Sequence, residues 1–268
     1  MNILETIVEH KREEIAGRKQ KVRVSGLADL EFYGRTVVSL RHALRRSGGM
    51  AIIAEIKRAS PAAGILRHKL DPAEVAREYS ENGAAAVSVL TDERFFSGSL
   101  ADLKSVRNVT SIPLLRKDFI IDEYQLHEAK AYGADAVLII AGILDRSHLS
   151  ELHDAARELG LESLVELHEA GELKLLDPDR MLLVGVNNRD LRTFAVDLDR
   201  TFTIARQLAS VPEITIVSES GIRDSDDLKK LLAGGIRAAL IGTTLLKSPS
   251  PGEALRELLA GLKHAAAD

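Results

Sequence analysis

Several ionisable residues of this chain stand at the far ends of short apolar, β-branched runs. Glu55 and Lys57 end MAIIAEI (50–56), Arg116 and Lys117 end IPLLR (112–116), and Glu166 ends ESLVE (162–166). Asn187, with Arg189 close behind, ends LLVGVN (182–187), and Glu219 follows ITIVS (214–218). Charge at the end of a buried strand is costly unless it is paired or used. Lysines and carboxylates gathered in one pocket shift one another's proton affinities, which is what general acid–base chemistry needs. Glu55 and Lys57 are two positions apart and share one face of their strand. A ring of ion pairs that merely closes one end of the fold is the competing reading. A second group suits phosphate: ESGI (219–222) and IGTT (241–244) place Ser220, Gly221, Gly242 and Thr243 just past two apolar runs. Backbone N–H groups in such turns can cradle an anion.

These residues need elements that bring distant runs together. Three further runs, AAVSVL (85–90), AVLII (136–140) and AALIG (238–242), bring the total to eight. Their nearly continuous apolar character fits strands buried on both faces. Helical stretches lie between them, among them DPAEVAREYSENG (71–83), DEYQLHEAKAYG (122–133) and DSDDLKKLLAGG (224–235). Each opens on an Asp suited to an N-cap and closes on a Gly suited to the turn beyond the helix. The junctions GAAAVSVL, GADAVLII and GIRAALIG repeat one another, as βα units should. Eight such units with right-handed crossovers close into a barrel. A doubly wound sheet would call for a Gly-rich turn after its first strand. KRASPAAGILRHK stands there instead.

The expected fold class is therefore α/β, a (β/α)8 TIM barrel with an N-terminal helical extension. Residues 1–268 are expected to form one domain, with 1–49 as the extension, acting as a cap or lid. ILETIVEHKREEI carries Ile3, Leu4, Ile7, Val8 and Ile15 at helical spacing, and SLRHALRRSG (39–48) reads as a second short helix. In a barrel, chemistry sits at the C-terminal ends of the strands, where the polar residues above fall. Leu90 and Ile140 end their strands apolar and are expected to contribute little.

Composition removes several function classes. With no cysteine, the chain has no disulfide, zinc–thiolate site or Cys nucleophile. The net charge of −4 and 4% aromatic content argue against a nucleic-acid partner. The eight histidines, at 10, 42, 68, 127, 148, 153, 168 and 264, show no metal-ligand spacing, and no metal is implied. His168 is read as a loop residue near Glu166. No apolar run approaches membrane-spanning length, and the start MNILETIVEHKREE lacks a signal-peptide core. A cytoplasmic protein with no membrane partner is expected.

The motifs IAEIKRASP (53–61), AAVSVLTDERFFSGS (85–99), LLRKDFIID (114–122), LVELHE (164–169), VGVNNRDL (184–191) and SESGI (218–222) closely resemble the indole-3-glycerol-phosphate synthase family. That resemblance runs over nearly the whole chain and implies a (β/α)8 barrel with a helical extension. It implies ring closure, decarboxylation and dehydration of 1-(2-carboxyphenylamino)-1-deoxyribulose 5-phosphate, a carbon–carbon lyase reaction of tryptophan biosynthesis that needs no cofactor. Lys117 is then the general acid on the ketone oxygen, with Glu55 holding it. Lys57 stands against the anthranilate carboxylate, and Glu166 handles protons in dehydration. Asn187 and Arg189 position the intermediate, and Glu219 and Ser220 line the same mouth. Ser60, Gly221, Gly242 and Thr243 match phosphate contacts, and Phe96 and Phe119 match the aromatic walls. The implied partners are the phosphorylated small-molecule substrate and, transiently, other tryptophan-pathway enzymes.

The chain departs from the family at two places. Ala63 stands where many members have lysine, leaving Arg67 or Lys69 to substitute. The extension has no tryptophan, so an aromatic contact from it would come from Phe32 or Tyr33. A phosphoribosylanthranilate isomerase is disfavoured because it is expected to use a Cys–Asp pair. A non-catalytic scaffold barrel would not need Glu55, Lys57, Lys117, Glu166 and Asn187 together.

Overall fold

The computed structural model describes residues 3–46, 48–67, 69–191 and 193–263. His68 and His264 lie outside the described residues. The eight predicted runs are eight strands: β1 (Ala51–Ile56), β2 (Ala86–Leu90), β3 (Leu114–Lys117), β4 (Ala136–Ile140), β5 (Glu162–Leu167), β6 (Leu183–Asn187), β7 (Thr215–Glu219) and β8 (Ala238–Ile241). Each pairs parallel with its neighbour in the chain, and β8 pairs with β1 through Ala51↔Ala238 to close the barrel.

The helices preceding the barrel are α1 (Ile3–Lys21), α2 (Val24–Ala28) and α3 (Leu40–Arg46). Around it follow α4 (Pro72–Glu81), α5 (Glu93–Phe96), α6 (Leu100–Arg107), α7 (Glu123–Ala131), α8 (Arg146–Glu158), α9 (Asp199–Gln207), α10 (Ser225–Ala233), α11 (Thr243–Leu246) and α12 (Pro251–Lys263). The predicted caps are in place: Asp71 accepts from Ala73 N at 2.9 Å, Asp122 from Tyr124 N at 2.9 Å, and Asp224 from Asp226 N at 3.0 Å. After α7 the chain turns back through Gly133 at φ 90°, where a Cβ would strike the Arg107 side chain. Only glycine fits that turn without strain.

Side-chain alternation with period two divides the core into two layers. Outward residues such as Ile52, Val87, Val137, Val165 and Val184 pack under Leu103, Leu126, Leu149, Ile204 and Leu231 of the helices. Inward residues Ile53, Leu115, Leu138, Leu164, Val217 and Leu240 fill the barrel. Each fully buried aliphatic side chain of this kind stabilises the fold by ~1.5–3 kcal/mol. The same parity carries Glu55, Lys117, Glu166, Asn187 and Glu219 inward at the C-terminal rim. Arg116, one residue from Lys117, points the other way and is wholly buried between strand and helices. There it donates to the Gln125 carbonyl at 2.6 Å, to Asp118 at 3.0 Å and to Glu128 at 3.1 Å. It takes no part in the pocket chemistry that its position at a strand end suggested.

The extension grips both ends of the barrel. At the bottom, Leu40 and Leu44 of α3 seal the inner core, and Glu162 at the start of β5 accepts from Ser39 Oγ at 2.6 Å and Arg41 N at 2.8 Å. Asp135, fully buried, accepts from Val38 N at 2.7 Å and Arg107 at 2.9 Å. At the top, α1 lays Ile7, Val8 and Ile15 inward, as its periodicity predicts, and buries Lys11 on the same stripe. The Lys11 ammonium forms ion pairs with Asp92 at 2.9 Å, Asp118 at 3.0 Å and Glu14 at 2.9 Å. Burial alone would lower its proton affinity, but Asp118 and Asp92 raise it above the ordinary lysine range. Burial likewise works against the Asp118 carboxylate, and Lys11 and Arg116 nevertheless hold it well below the usual range.

Removing one partner of such a cluster leaves buried charge without compensation. Lys11→Ala should therefore lower unfolding stability by about 3–5 kcal/mol. Urea denaturation checks this, and a loss under about 1 kcal/mol would show that apolar contacts alone hold α1 in place.

Candidate active site

A cavity of about 340 Å³ opens at the C-terminal rim of the barrel. The fourteen residues given site roles by the family resemblance all line it. Glu55, Lys57, Lys117, Glu166, Asn187 and Glu219 form the polar floor, and Arg189 stands beside them. Ser60, Ser220, Gly221, Gly242 and Thr243 gather along the β1, β7 and β8 ends, with Phe96 and Phe119 opposite.

Lys117, on the last residue of β3, is held between two carboxylates. Its Nζ lies 2.9 Å from Glu166 Oε2 and 3.2 Å from Glu219 Oε2. Burial alone would make the ammonium give up its proton, but Glu166 and Glu219 overcome that and raise its affinity above the ordinary lysine range. Burial also opposes ionisation of Glu166, yet Lys117 and a bond from His168 keep it ionised well below the usual carboxylate range. Burial pushes Glu219 up to about 8; Lys117 pulls the other way, and the neighbouring Glu166 offsets part of that pull. One ammonium thus serves two carboxylates, of which one keeps its proton. Glu219 fits because Gly185 on β6 leaves room for its carboxylate, which a Cβ there would strike.

Glu55 and Lys57 pair with each other from one face of β1, as their spacing predicts. The Glu55 carboxylate occupies the space a Cβ at Gly242 would need, so that glycine is required by close approach. Asn187 donates from Nδ2 to Glu166 Oε1 at 3.2 Å, and its Oδ1 accepts from Arg189 N at 3.0 Å. Arg189 donates to the Phe194 carbonyl at 3.0 Å, across an isolated bridge to Val196. Ser60 sits in a two-residue hairpin, Ala59–Ser60 against Gly64–Ile65. Ser220 adopts φ 66° and Gly221 φ 82°, a left-handed turn that aims the backbone after β7 toward the cavity. Phe96 and Phe119 meet with ring centroids 6.0 Å apart, forming one apolar wall.

Several features escaped sequence reasoning. Leu90 and Ile140, expected to contribute little, line the cavity as apolar surface. The contact from the extension is aliphatic: Ile3, Leu4 and Ile7 line the cavity. Tyr33 instead takes its hydroxyl to His127 Nδ1 at 2.6 Å, on the outer side of the barrel, and neither it nor Phe32 reaches the pocket. Neither Arg67 nor Lys69 replaces a lysine at Ala63: Arg67 donates to the Pro249 carbonyl at 2.8 Å, while Arg223 and Lys247 line the cavity. Asn188, fully buried, ties β6 to the end of β7 through Ser218 Oγ at 2.9 Å, Glu219 O at 2.9 Å and Ser220 O at 3.2 Å. The doubled Asn of VGVNNRDL was the available signal. His168, read as a loop residue, is bonded to Glu166 at 2.6 Å. Among the described residues, no group of three or more His, Cys, Asp or Glu side chains is arranged to hold a metal.

Fold and site together define a (β/α)8-barrel protein with a buried lysine–carboxylate cluster at its catalytic face. The sequence model of the indole-3-glycerol phosphate synthase family matches residues 4–258, and the chain belongs to that family. Indole-3-glycerol phosphate synthase of Carboxydothermus hydrogenoformans is 46% identical over 263 residues, covering 96% of this chain and 99% of that one. The protein of the same name from Salinibacter ruber is 46% identical over 269 residues, covering 100% and 98%. Among solved structures, a Pyrococcus furiosus thiamine phosphate pyrophosphorylase superposes with TM-score 0.58 at 16% identity, covering 84% of this chain and 98% of that chain. A chain of the Pyrococcus furiosus tryptophan synthase α2β2 complex gives 0.56 at 16%, covering 81% and 98%. These two likenesses concern the fold alone.

The proton on Glu219 has a consequence for stability. In the unfolded chain a glutamate releases its proton near about 4.3, whereas here the folded value is about 8. The folded state binds the extra proton between these values, so stability falls as pH rises through that window and levels off above it. Glu219→Gln removes this slope. The melting temperature of E219Q minus that of the parent protein should grow between about pH 5 and about pH 8 and then stay constant. A difference that is flat across the range would mean that Glu219 is ionised throughout.

Proposed function

We propose that this chain is an indole-3-glycerol-phosphate synthase. It closes, decarboxylates and dehydrates 1-(2-carboxyphenylamino)-1-deoxyribulose 5-phosphate. The observation that carries this reading is the Lys117 ammonium, held charged between Glu166 and Glu219 on the floor of a pocket with a phenyl wall. Attack of the ring carbon on the ketone places negative charge on oxygen, and a charged N–H aimed there supplies both the proton and electrostatic stabilisation. The carboxylate then leaves as CO2, and its bonding electrons restore the aromatic ring. Lys57, paired with Glu55, meets that carboxylate. Glu166 handles protons as the hydroxyl departs, with Asn187 and Arg189 orienting the intermediate.

The phenyl wall of Phe96 and Phe119 takes the anthranilate ring. The opposite end, with Ser60, Ser220, Gly221, Gly242 and Thr243, takes the phosphate. Residues 1–268 act as a single barrel domain whose extension, 1–49, forms part of the pocket wall. No described helix is long and apolar enough to cross a membrane. A cytoplasmic location and transient contact with other enzymes of tryptophan biosynthesis belong to the same proposal.

Lys117→Ala should reduce turnover by about 10²–10⁴-fold while substrate affinity stays within about tenfold. An assay of indole-3-glycerol phosphate fluorescence reads this, and more than a tenth of parental turnover would remove Lys117 as the acid. Glu166→Gln keeps shape but exchanges no proton, so single-turnover traces should show the ring-closed, decarboxylated intermediate accumulating. Equal slowing of both halves would move the dehydration role elsewhere.

A further inference from the structure

The proposed reaction does not balance within the pocket. The ketone oxygen leaves as water and carries two protons away. The carbon beside the ring nitrogen gives up one, and the ionised carboxylate leaving as CO2 gives none. One proton per turnover is therefore taken up from solvent.

His168 lies one residue beyond β5, with Nε2 2.6 Å from Glu166 Oε1. An ionised carboxylate only accepts, so Nε2 is the donor. The other carboxylate oxygen of Glu166 lies 2.9 Å from Lys117. Glu166 thus lies between the imidazole and the catalytic ammonium. The His168 side chain is 13% exposed against 2% for Glu166, and it does not line the cavity. A bound substrate would cover Lys117 but not this ring. The His168 backbone is pinned on both sides: its N–H donates to Glu172 at 2.6 Å, and its carbonyl accepts from Arg200 at 2.7 Å. The ring itself is held through the Glu166 bond.

We propose that His168 is a positioning residue that fixes Glu166 and relays the solvent proton to it. This rests on the synthase reading above. In the step, the Nε2–H bond of the imidazolium breaks and an O–H bond forms at Glu166 Oε1, leaving a neutral ring and a neutral acid. Glu166 then passes the proton to the departing hydroxyl, which leaves as water, and becomes a carboxylate again. The proton lost from the carbon beside the ring nitrogen returns to the neutral Lys117 amine and restores its charge. The neutral ring takes a proton back from solvent.

The surroundings favour the charged ring. Burial opposes it and so does Lys117 on β3, but Glu166 on β5 and Glu172 on the turn that follows outweigh them and raise its proton affinity. Arg200 of α9 donates to the His168 and Asn187 backbone carbonyls rather than meeting the ring.

The test compares parent, His168→Gln and His168→Ala, each checked for folding by thermal melting. Gln can still donate a hydrogen bond to Glu166 but cannot transfer a proton; Ala leaves room for free imidazole. Both variants should lose about tenfold or more in kcat with KM within about twofold. Added imidazole should restore H168A severalfold and leave the parent unchanged. Parental kcat in H168Q would overturn the relay, as would an H168A that does not respond to imidazole. If H168A fails to fold, H168Q decides alone. No turnover by the parent protein would overturn the synthase reading and the relay with it. Turnover by the parent with unimpaired variants would overturn the relay only.

Discussion

The Lys117 ammonium, shared by Glu166 and Glu219, is the contact around which the barrel mouth is organised. Lys117 and His168 hold Glu166 ionised, while burial beside Glu166 raises the proton affinity of Glu219, so the two carboxylates are pushed apart in proton affinity. That division reaches outward. Gly185 leaves the room that Glu219 occupies, Asn187 and His168 satisfy the second oxygen of Glu166, and Glu172 with Arg200 pins the backbone of His168. The same arrangement puts an ammonium, an ionised carboxylate and a carboxyl of raised proton affinity within one cluster. General acid–base chemistry in two successive halves calls for groups whose proton affinities are pushed apart in this way.

The extension belongs to this site as much as the strands do. Lys11 ion-pairs with Asp118, which follows Lys117, and with Asp92, which caps α5 by accepting from Phe95 N at 2.7 Å. Those two segments carry Phe119 and Phe96, and α1 adds Ile3, Leu4 and Ile7 to the same cavity. A single buried cation therefore sets the two halves of the phenyl wall against the helix that completes it. Such a cluster is not required for stability in itself, since apolar replacements can do as well. Its effect here is to fix one geometry for three segments that are distant in the chain.

Much of this was legible in the residues. The eight β-branched runs became the eight strands, and Asp71, Asp122 and Asp224 cap the helices they were expected to cap. The polar residues at strand ends line one cavity because alternation and strand length bring them to one rim. Lys11 was not legible, because a lysine on an apolar stripe reads as a flaw in the pattern until Asp92 and Asp118, more than eighty residues away, are in view. Arg116 was misplaced for the opposite reason: adjacency to Lys117 suggested a shared role, but one step along a strand reverses the face. Tyr33 and Arg67 were offered as substitutes by residue type alone, and both are bonded elsewhere.

Local rules therefore settled what this chain could determine by itself: roughly where the strands and the main helices lie, how many units there are, and which strand ends are polar. Each depends on neighbours within a few positions, through side-chain periodicity, capping and turn chemistry. Which charges meet across the barrel mouth was decided only by closure. The register that sets Ile140 beside Glu166 and Asn187 beside Glu219 fixes how high each side chain stands at the rim. Proton affinities in turn depend on burial and on charges a few ångströms away, which belong to strands far apart in sequence. The ionised Glu166, the protonated Glu219 and the imidazole bonded behind them are properties of that assembled surface.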